Sequence, residues 1–158
     1  MQYDRIDARI LDIVQKNNRL TSEAIGKITG LSATACQRRL KRLRSAGIIE
    51  ADVSIVSPKA VGRPIQMLVL VNLERDRADT IDSFKKAIKS SVEVVYGFYV
   101  TGDADFVLYI TARTIEDYEQ FTRQFFYENP DIKAFKTMVI MDRVKSGFAI
   151  PIEVPAED

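Results

Sequence analysis

Leu31-Ser32-Ala33-Thr34-Ala35-Cys36-Gln37-Arg38-Arg39-Leu40-Lys41-Arg42-Leu43-Arg44 is the stretch that decides the fold. Read as a helix, it has two unlike faces. Ser32 is an N-cap residue whose hydroxyl can accept from a backbone N–H one turn on, and Gly47 supplies a left-handed stop. At about 100° per residue Cys36, Leu40 and Leu43 form an apolar stripe, while Thr34, Arg38, Lys41, Arg42 and Ser45 project from the opposite side. Between Glu23 and Glu50 there is no acidic residue. A solvated helix surface usually mixes signs to gain pairs one turn apart, so a locally uncompensated basic face points to an anionic partner, with phosphate the commonest candidate.

Upstream, Asp4 or Asp7 can cap a first helix reaching about Lys16, with Ile6, Ile10, Ile13 and Val14 at helical spacing. Thr21 caps a short second helix, Ser22 to Thr29, closed by Gly30. Three short helices with a tight turn between the second and third make a helix-turn-helix, whose third helix enters the major groove of DNA. Downstream, Gly47 to Val56 reads as a turn and an extended run, which predicts a winged or strand-linked variant. Two prolines and a glycine within Ser57–Pro64 place the domain boundary there. The expected division is 1–51 for the DNA-binding domain, 52–64 for strand and linker, and 65–158 for a second domain with a C-terminal tail.

In that second domain the periodicity changes. Ile65–Leu73 is a buried strand, Arg77–Ser90 a helix, Val92–Val100 and Phe106–Ala112 two strands joined by the turn Thr101-Gly102-Asp103-Ala104-Asp105. Thr114 with Asp117 opens a helix that Asn129-Pro130 breaks, and Ile132 to about Met141 gives a fourth strand. Strand, helix, strand, strand, helix, strand is the ferredoxin-like split βαβ order, so the chain as a whole is α+β. Met67–Val71 and Val94–Val100 are apolar at both parities, which predicts burial of the second sheet face against another subunit. The apolar tail Phe148–Ile152 is expected to add an edge strand.

Composition narrows the chemistry. The chain has 158 residues, 46% hydrophobic, and a net charge of +1. Residues 1–56 hold ten Lys/Arg against six Asp/Glu, whereas 57–158 hold thirteen against sixteen, so halves of +4 and −3 hide behind that figure. One cysteine and no histidine leave no His-based triad, no Cys/His zinc cluster and no imidazole shuttle. Cys36, on the apolar stripe, is expected to be core. No apolar run reaches the roughly 18–20 residues that span a bilayer, and the N-terminus lacks a signal pattern, so a cytoplasmic protein is expected.

With these residues in place, the chain resembles the Lrp/AsnC (leucine-responsive, feast/famine) regulators from about Asp4 to Lys145. The resemblance rests on Asp7-Ala8-Arg9-Ile10-Leu11, Asn18-Arg19-Leu20, Gly30-Leu31-Ser32, Arg39-Leu40-Lys41-Arg42-Leu43, Gly47-Ile48-Ile49, Gly102-Asp103-Ala104-Asp105-Phe106 and Thr137 with Val144-Lys145. It implies a transcriptional regulator with a helix-turn-helix, a connecting strand and a ferredoxin-like sensing and assembly domain. It also implies dimerisation through the sheet, further assembly to octamers or similar, and an amino acid or related metabolite bound near the turn in which Gly102 and Asp105 match the family's Gly-x-x-Asp pattern. Ala104 departs from the aromatic residue frequent there, which would enlarge the pocket or weaken a contact.

The expected partners are therefore double-stranded DNA, a small-molecule effector and further copies of the chain, with no cofactor, no metal and no membrane. For base edges the candidates are Thr34, Gln37, Arg38 and Lys41, since Arg or Lys serves guanine and Gln serves adenine. Arg39, Arg42 and Arg44 would hold phosphate or buttress neighbouring elements, and Thr21 and Ser32 sit at helix N-termini where phosphate is favoured. In the effector turn, Asp103 and Asp105 could accept from an α-ammonium, and Thr101 with the N–H groups around Gly102 and Ala104 could receive a carboxylate. Two other readings compete: a constitutive DNA organiser without effector, and a metabolite-binding module without DNA. An enzyme is disfavoured because two carboxylates on one turn lack convergent partners.

Overall fold

The computed structural model describes residues 3–74 and 77–156. Their contacts divide the chain into two units, residues 1–54 with 145–158, and residues 55–144.

The helical unit holds α1 (Arg5–Val14), α2 (Ser22–Thr29) and α3 (Ala33–Ser45). Thr21 and Ser32 cap their helices as expected, accepting from the N–H groups of Ala24 and Ala35, and of the two candidates for α1 it is Asp4 that accepts, from the N–H of Asp7. Ile10, Leu11 and Val14 of α1 meet Ile25 of α2 and Cys36, Leu40 and Leu43 of α3 in one core. Burial pushes the Cys36 thiol up, away from thiolate chemistry. α2 ends at Gly30 in the left-handed conformation (φ 78°), and the chain turns directly into α3.

Two expectations change here. Residues 50–56, expected to run as a strand, belong to no strand and pair with none of the sheet's four, and an unpaired segment lacks the ladder hydrogen bonds that define one. The tail likewise adds no strand to the sheet. It packs within the helical unit, where the Gln15 amide donates to the Ile150 carbonyl (2.8 Å) and accepts from the Ile150 N–H (3.0 Å), and Ile152 reaches the helical core.

The sheet unit follows the order β1 (Ile65–Leu73), α4 (Ala78–Ser90), β2 (Val94–Tyr99), β3 (Phe106–Ala112), α5 (Ile115–Thr122) and β4 (Ile132–Val139). All pairings are antiparallel and the strand order is β2-β3-β1-β4, the ferredoxin-like arrangement. Met67, Val69 and Val71 of β1, Phe106, Leu108 and Ile110 of β3, Phe84 of α4 and Phe126 form its core. α5 runs into a π-helical turn, Arg123–Tyr127, where a single α-helix was expected. The widened turn brings Phe126 into the core, stacked on Phe135 at 4.5 Å, while Phe125 lies half-buried on Phe84. On the other sheet face the register aligns Leu68, Leu70, Tyr96, Phe98, Val107 and Met138, with Phe98 more than half exposed.

Candidate nucleic-acid interface and effector turn

The outward arc of α3 is set by what its inward stripe must bury. With Cys36, Leu40 and Leu43 turned to the core, Thr34, Gln37, Arg38 and Lys41 are exposed. Ser22, at the start of α2, lines one shallow depression with Gln37, Lys41, Arg44 and Ser45. Thr21 and Ser32 are both exposed and both spend their hydroxyls on capping, 3.2 Å from the N–H groups of Ala24 and Ala35. The first turns of α2 and α3 thus keep further N–H groups for an anion.

The five cations of α3 are not equivalent. Arg39 donates to Asp4 at 2.6 Å and to Asp7 at 2.9 Å, and Arg42 pairs with the other oxygen of Asp7. Asp7 is completely buried and Arg39 largely so. Arg44 takes both oxygens of Asp52, at 2.7 and 3.1 Å, and that guanidinium holds the Asp52 carboxyl below the usual carboxylate range. Burial raises the Asp4 carboxyl, but the Asp7 N–H and Arg39 outweigh it and hold Asp4 low. Among the described residues, Arg38 and Lys41 have no acidic partner. The basic face is therefore compensated in space by acids at positions 4, 7 and 52, and its open charge narrows to two cations.

Sequence reasoning did not find Asp4 and Asp7 as partners of α3, and it gave Gly26 no role. A Cβ on Gly26 would lie 2.6 Å from the Leu31 carbonyl oxygen. Close passage of the turn over α2 requires that glycine.

In the sheet unit the turn 101–105 joins β2 to β3. Thr101, Gly102 and Asp103 are exposed, and Gly102 has φ 118°, a conformation that disfavours any side chain. Asp105 is half-buried, and its Oδ2 accepts from the Leu73 N–H at 2.7 Å, where the β1–β4 register shifts. The Asn72 amide donates to the Asp103 carbonyl at 2.8 Å. These bonds lock the turn onto the end of β1 and leave the Asp103 carboxylate outward. Ala104 is buried, so its small side chain belongs to the packing beneath the turn and not to an opened rim. A larger cleft of about 660 Å³ lies at the other end of the strands, where Arg63, Glu93 and Arg113 surround Thr111, Ala112 and Phe121, and it contains no turn residue. Arg63 donates there to the Thr111 hydroxyl at 2.8 Å.

Residues 66–150 match the profile described as the Lrp/AsnC ligand binding domain, and residues 3–50 match winged helix-turn-helix DNA-binding. The chain belongs to the Lrp/AsnC family. It is 67% identical over 154 residues to an HTH-type transcriptional regulator of Sinorhizobium fredii, with 98% of this chain and 91% of that one covered. Transcriptional regulator AzlB of Bacillus subtilis is 33% identical over 153 residues, covering 97% and 98%. Among solved Lrp/AsnC-like structures, a Neisseria meningitidis transcriptional regulator in complex with L-Met superposes with a TM-score of 0.88 at 26% identity, covering 94% of this chain and 96% of that one. An AsnC family regulator from Agrobacterium tumefaciens superposes at 0.86 with 25% identity, covering 94% and 97%. The present chain is thus an HTH-type transcriptional regulator of Lrp/AsnC type with a ligand-binding domain. Among its described residues no helix is long and apolar enough to cross a membrane.

Proposed function

We propose that this regulator reads DNA sequence as a symmetric dimer in the cytoplasm and does no chemistry of its own. The observation that carries this is the division of charge on α3: Arg39, Arg42 and Arg44 are ion-paired inside the unit, and Arg38 and Lys41 point outward beside Gln37 and Thr34. Those four side chains serve base edges and nearby phosphate, and the N-termini capped by Thr21 and Ser32 hold further phosphates. The apolar sheet face around Leu68, Tyr96 and Phe98 supports pairing with a second copy, which sets two recognition helices about one DNA turn apart.

An amino acid or related small metabolite is the effector, taken up beside the turn 101–105. The exposed Asp103 carboxylate suits its ammonium, Thr101 and the N–H groups of the turn suit its carboxylate, and Asp105 keeps the turn in shape. The L-Met complex of the Neisseria relative supports an effector of this class. Such a ligand changes DNA binding only by preferring one assembly over another, so contacts between dimers are where it acts.

The test is fluorescence anisotropy on duplexes selected from a random pool, over a salt series and with each amino acid in turn. Arg38→Ala with Lys41→Ala is expected to lose at least tenfold in the ratio of selected to random duplex. It is also expected to flatten the log–log salt slope by about 1.8, at about 0.9 per phosphate. Undiminished selectivity in that variant would refute the interface. Binding unaffected by every amino acid, in affinity and in oligomer size by sedimentation, would leave a constitutive DNA organiser.

A further inference from the structure

The ion pairs at the start of α1 bear on DNA reading as well as on stability. Asp7 is 0% exposed, and its two oxygens receive Arg39 and Arg42, which lie three residues apart on α3. At about 100° per residue, Thr34, Arg38, Lys41 and Ser45 fall within an arc of about 60° around the α3 axis. Arg42 lies about 40° and Arg39 about 100° beyond Arg38, on the flank that meets α1. Arg39 gives one N–H to Asp7 Oδ1 and Arg42 one to Asp7 Oδ2, charge-assisted bonds to opposite oxygens of a carboxylate that has no exposure. Two such bonds converging from one helix on one buried carboxylate restrict the rotation of that helix about its axis. Burying a carboxylate costs desolvation that an apolar contact would not, and Asp7 offsets it with charge-assisted bonds at both oxygens.

We propose that Asp7 is the positioning residue of the recognition helix: it sets the rotation of α3 on α1 and withdraws Arg39 and Arg42 from the charge offered to phosphate. Selectivity then comes from an arc in which Arg38 and Lys41 are the cations without an acidic partner among the described residues, held at one angle to the groove. Without Asp7, Arg39 keeps only its pair with Asp4, Arg42 loses this carboxylate, and the helix loses a constraint on its rotation. Binding to any duplex holds or strengthens while discrimination falls. The inference rests on the reading of α3 as the helix that contacts DNA.

The experiment uses the full chain and measures affinity for a selected and a random duplex across a salt series. Asp7→Asn is expected to lower the ratio of the two affinities at least tenfold, with affinity for random duplex retained or raised and its salt slope steeper by about 0.9, for one added phosphate contact from Arg42, since Arg39 keeps Asp4. Arg39→Gln with Arg42→Gln is expected to lower the ratio but leave the slope unchanged, whereas Arg38→Ala with Lys41→Ala flattens it. Ile10→Val, which removes one buried methyl from α1, lowers the unfolding temperature without moving ratio or slope, and so separates positioning from stability. An Asp7→Asn protein with the wild-type ratio overturns the proposal. So does a slope flattened by Arg39→Gln and Arg42→Gln as much as by the Arg38 and Lys41 pair, a result that decides the matter even where Asp7→Asn does not fold. Normal DNA binding by the Arg38 and Lys41 variant overturns the α3 reading itself, and is told apart by that variant alone.

Discussion

At Gly26 the helical unit has no room for a methyl group. The Leu31 N–H donates to the Gly26 carbonyl at 2.9 Å, which draws the turn down so far that a Cβ would sit 2.6 Å from backbone oxygen. Backbone cannot swing aside as a side-chain tip can. Gly26→Ala is therefore expected to destabilise the protein by about 1–3 kcal/mol, the usual range for overpacking, and to weaken DNA binding by displacing Ser32 and the start of α3. Urea unfolding with a duplex-binding measurement checks both, and an unchanged midpoint would show that the turn lifts freely. Gly26 is illegible in sequence because inside Ser22–Thr29 it reads only as a poor helix former. The Asp7 cluster is hidden for a related reason. The basic character of α3 is plain, but acids 32 and 35 residues upstream become partners only once the rotation of two helices is known.

α1 shows how an element's ends carry information that its middle does not. Asp4 accepts from the Asp7 N–H at 2.8 Å, and Asp7 accepts from the Asp4 N–H at 3.1 Å, a reciprocal capping box built from two aspartates. The Asp4 carboxyl is held below its ordinary value, so its stabilising contribution is complete above the unfolded pKa of about 3.9 and is lost as pH falls through the lower folded pKa. Asp4→Ala is expected to cost about 1 kcal/mol at pH 7, and the gap between wild type and variant should close below about pH 4. Urea midpoints taken from pH 7 to pH 3 read this out, and a gap that widens on acidification would reverse the sign of the argument. Caps were the most legible feature of the chain: Thr21, Ser32 and Thr114 each open the helix expected of them, and Asp4, one of two candidates with Asp7, opens α1. The limits of β1 and β3 were equally plain, since apolar runs bounded by turn residues have a natural length. The π-helical turn after α5 was not, because Phe125 and Phe126 satisfy a helical stripe equally well until the core selects between them.

Across the whole molecule, the path of the chain joins the units twice, once at Ser54/Ile55 and once at Val144/Lys145. The second crossing exists because residues 145–158 belong to the helical unit. The apolar content of Phe148–Ile152 announced that the tail needs a partner, but not which one. What captures it is a side-chain amide imitating a strand edge: Gln15 both donates to and accepts from Ile150, and Tyr3 donates to the Glu153 carbonyl at 3.0 Å. No periodicity encodes that pairing. At about 1 kcal/mol per hydrogen bond, with a further contribution of about 1 kcal/mol from the half-buried Ile152, the tail stabilises the helical unit by about 2–4 kcal/mol. Removal of residues 146–158 is expected to lower the thermal midpoint of that unit and to speed amide exchange in α1, and Gln15→Ala should account for about half of the loss. The sheet unit should keep its own protection in the same hydrogen-exchange measurement, because its core around Phe84, Phe106 and Phe126 draws on residues 55–144 alone. If α1 exchanges no faster without the tail, these contacts contribute nothing, and the second crossing is a loose end instead of a strap.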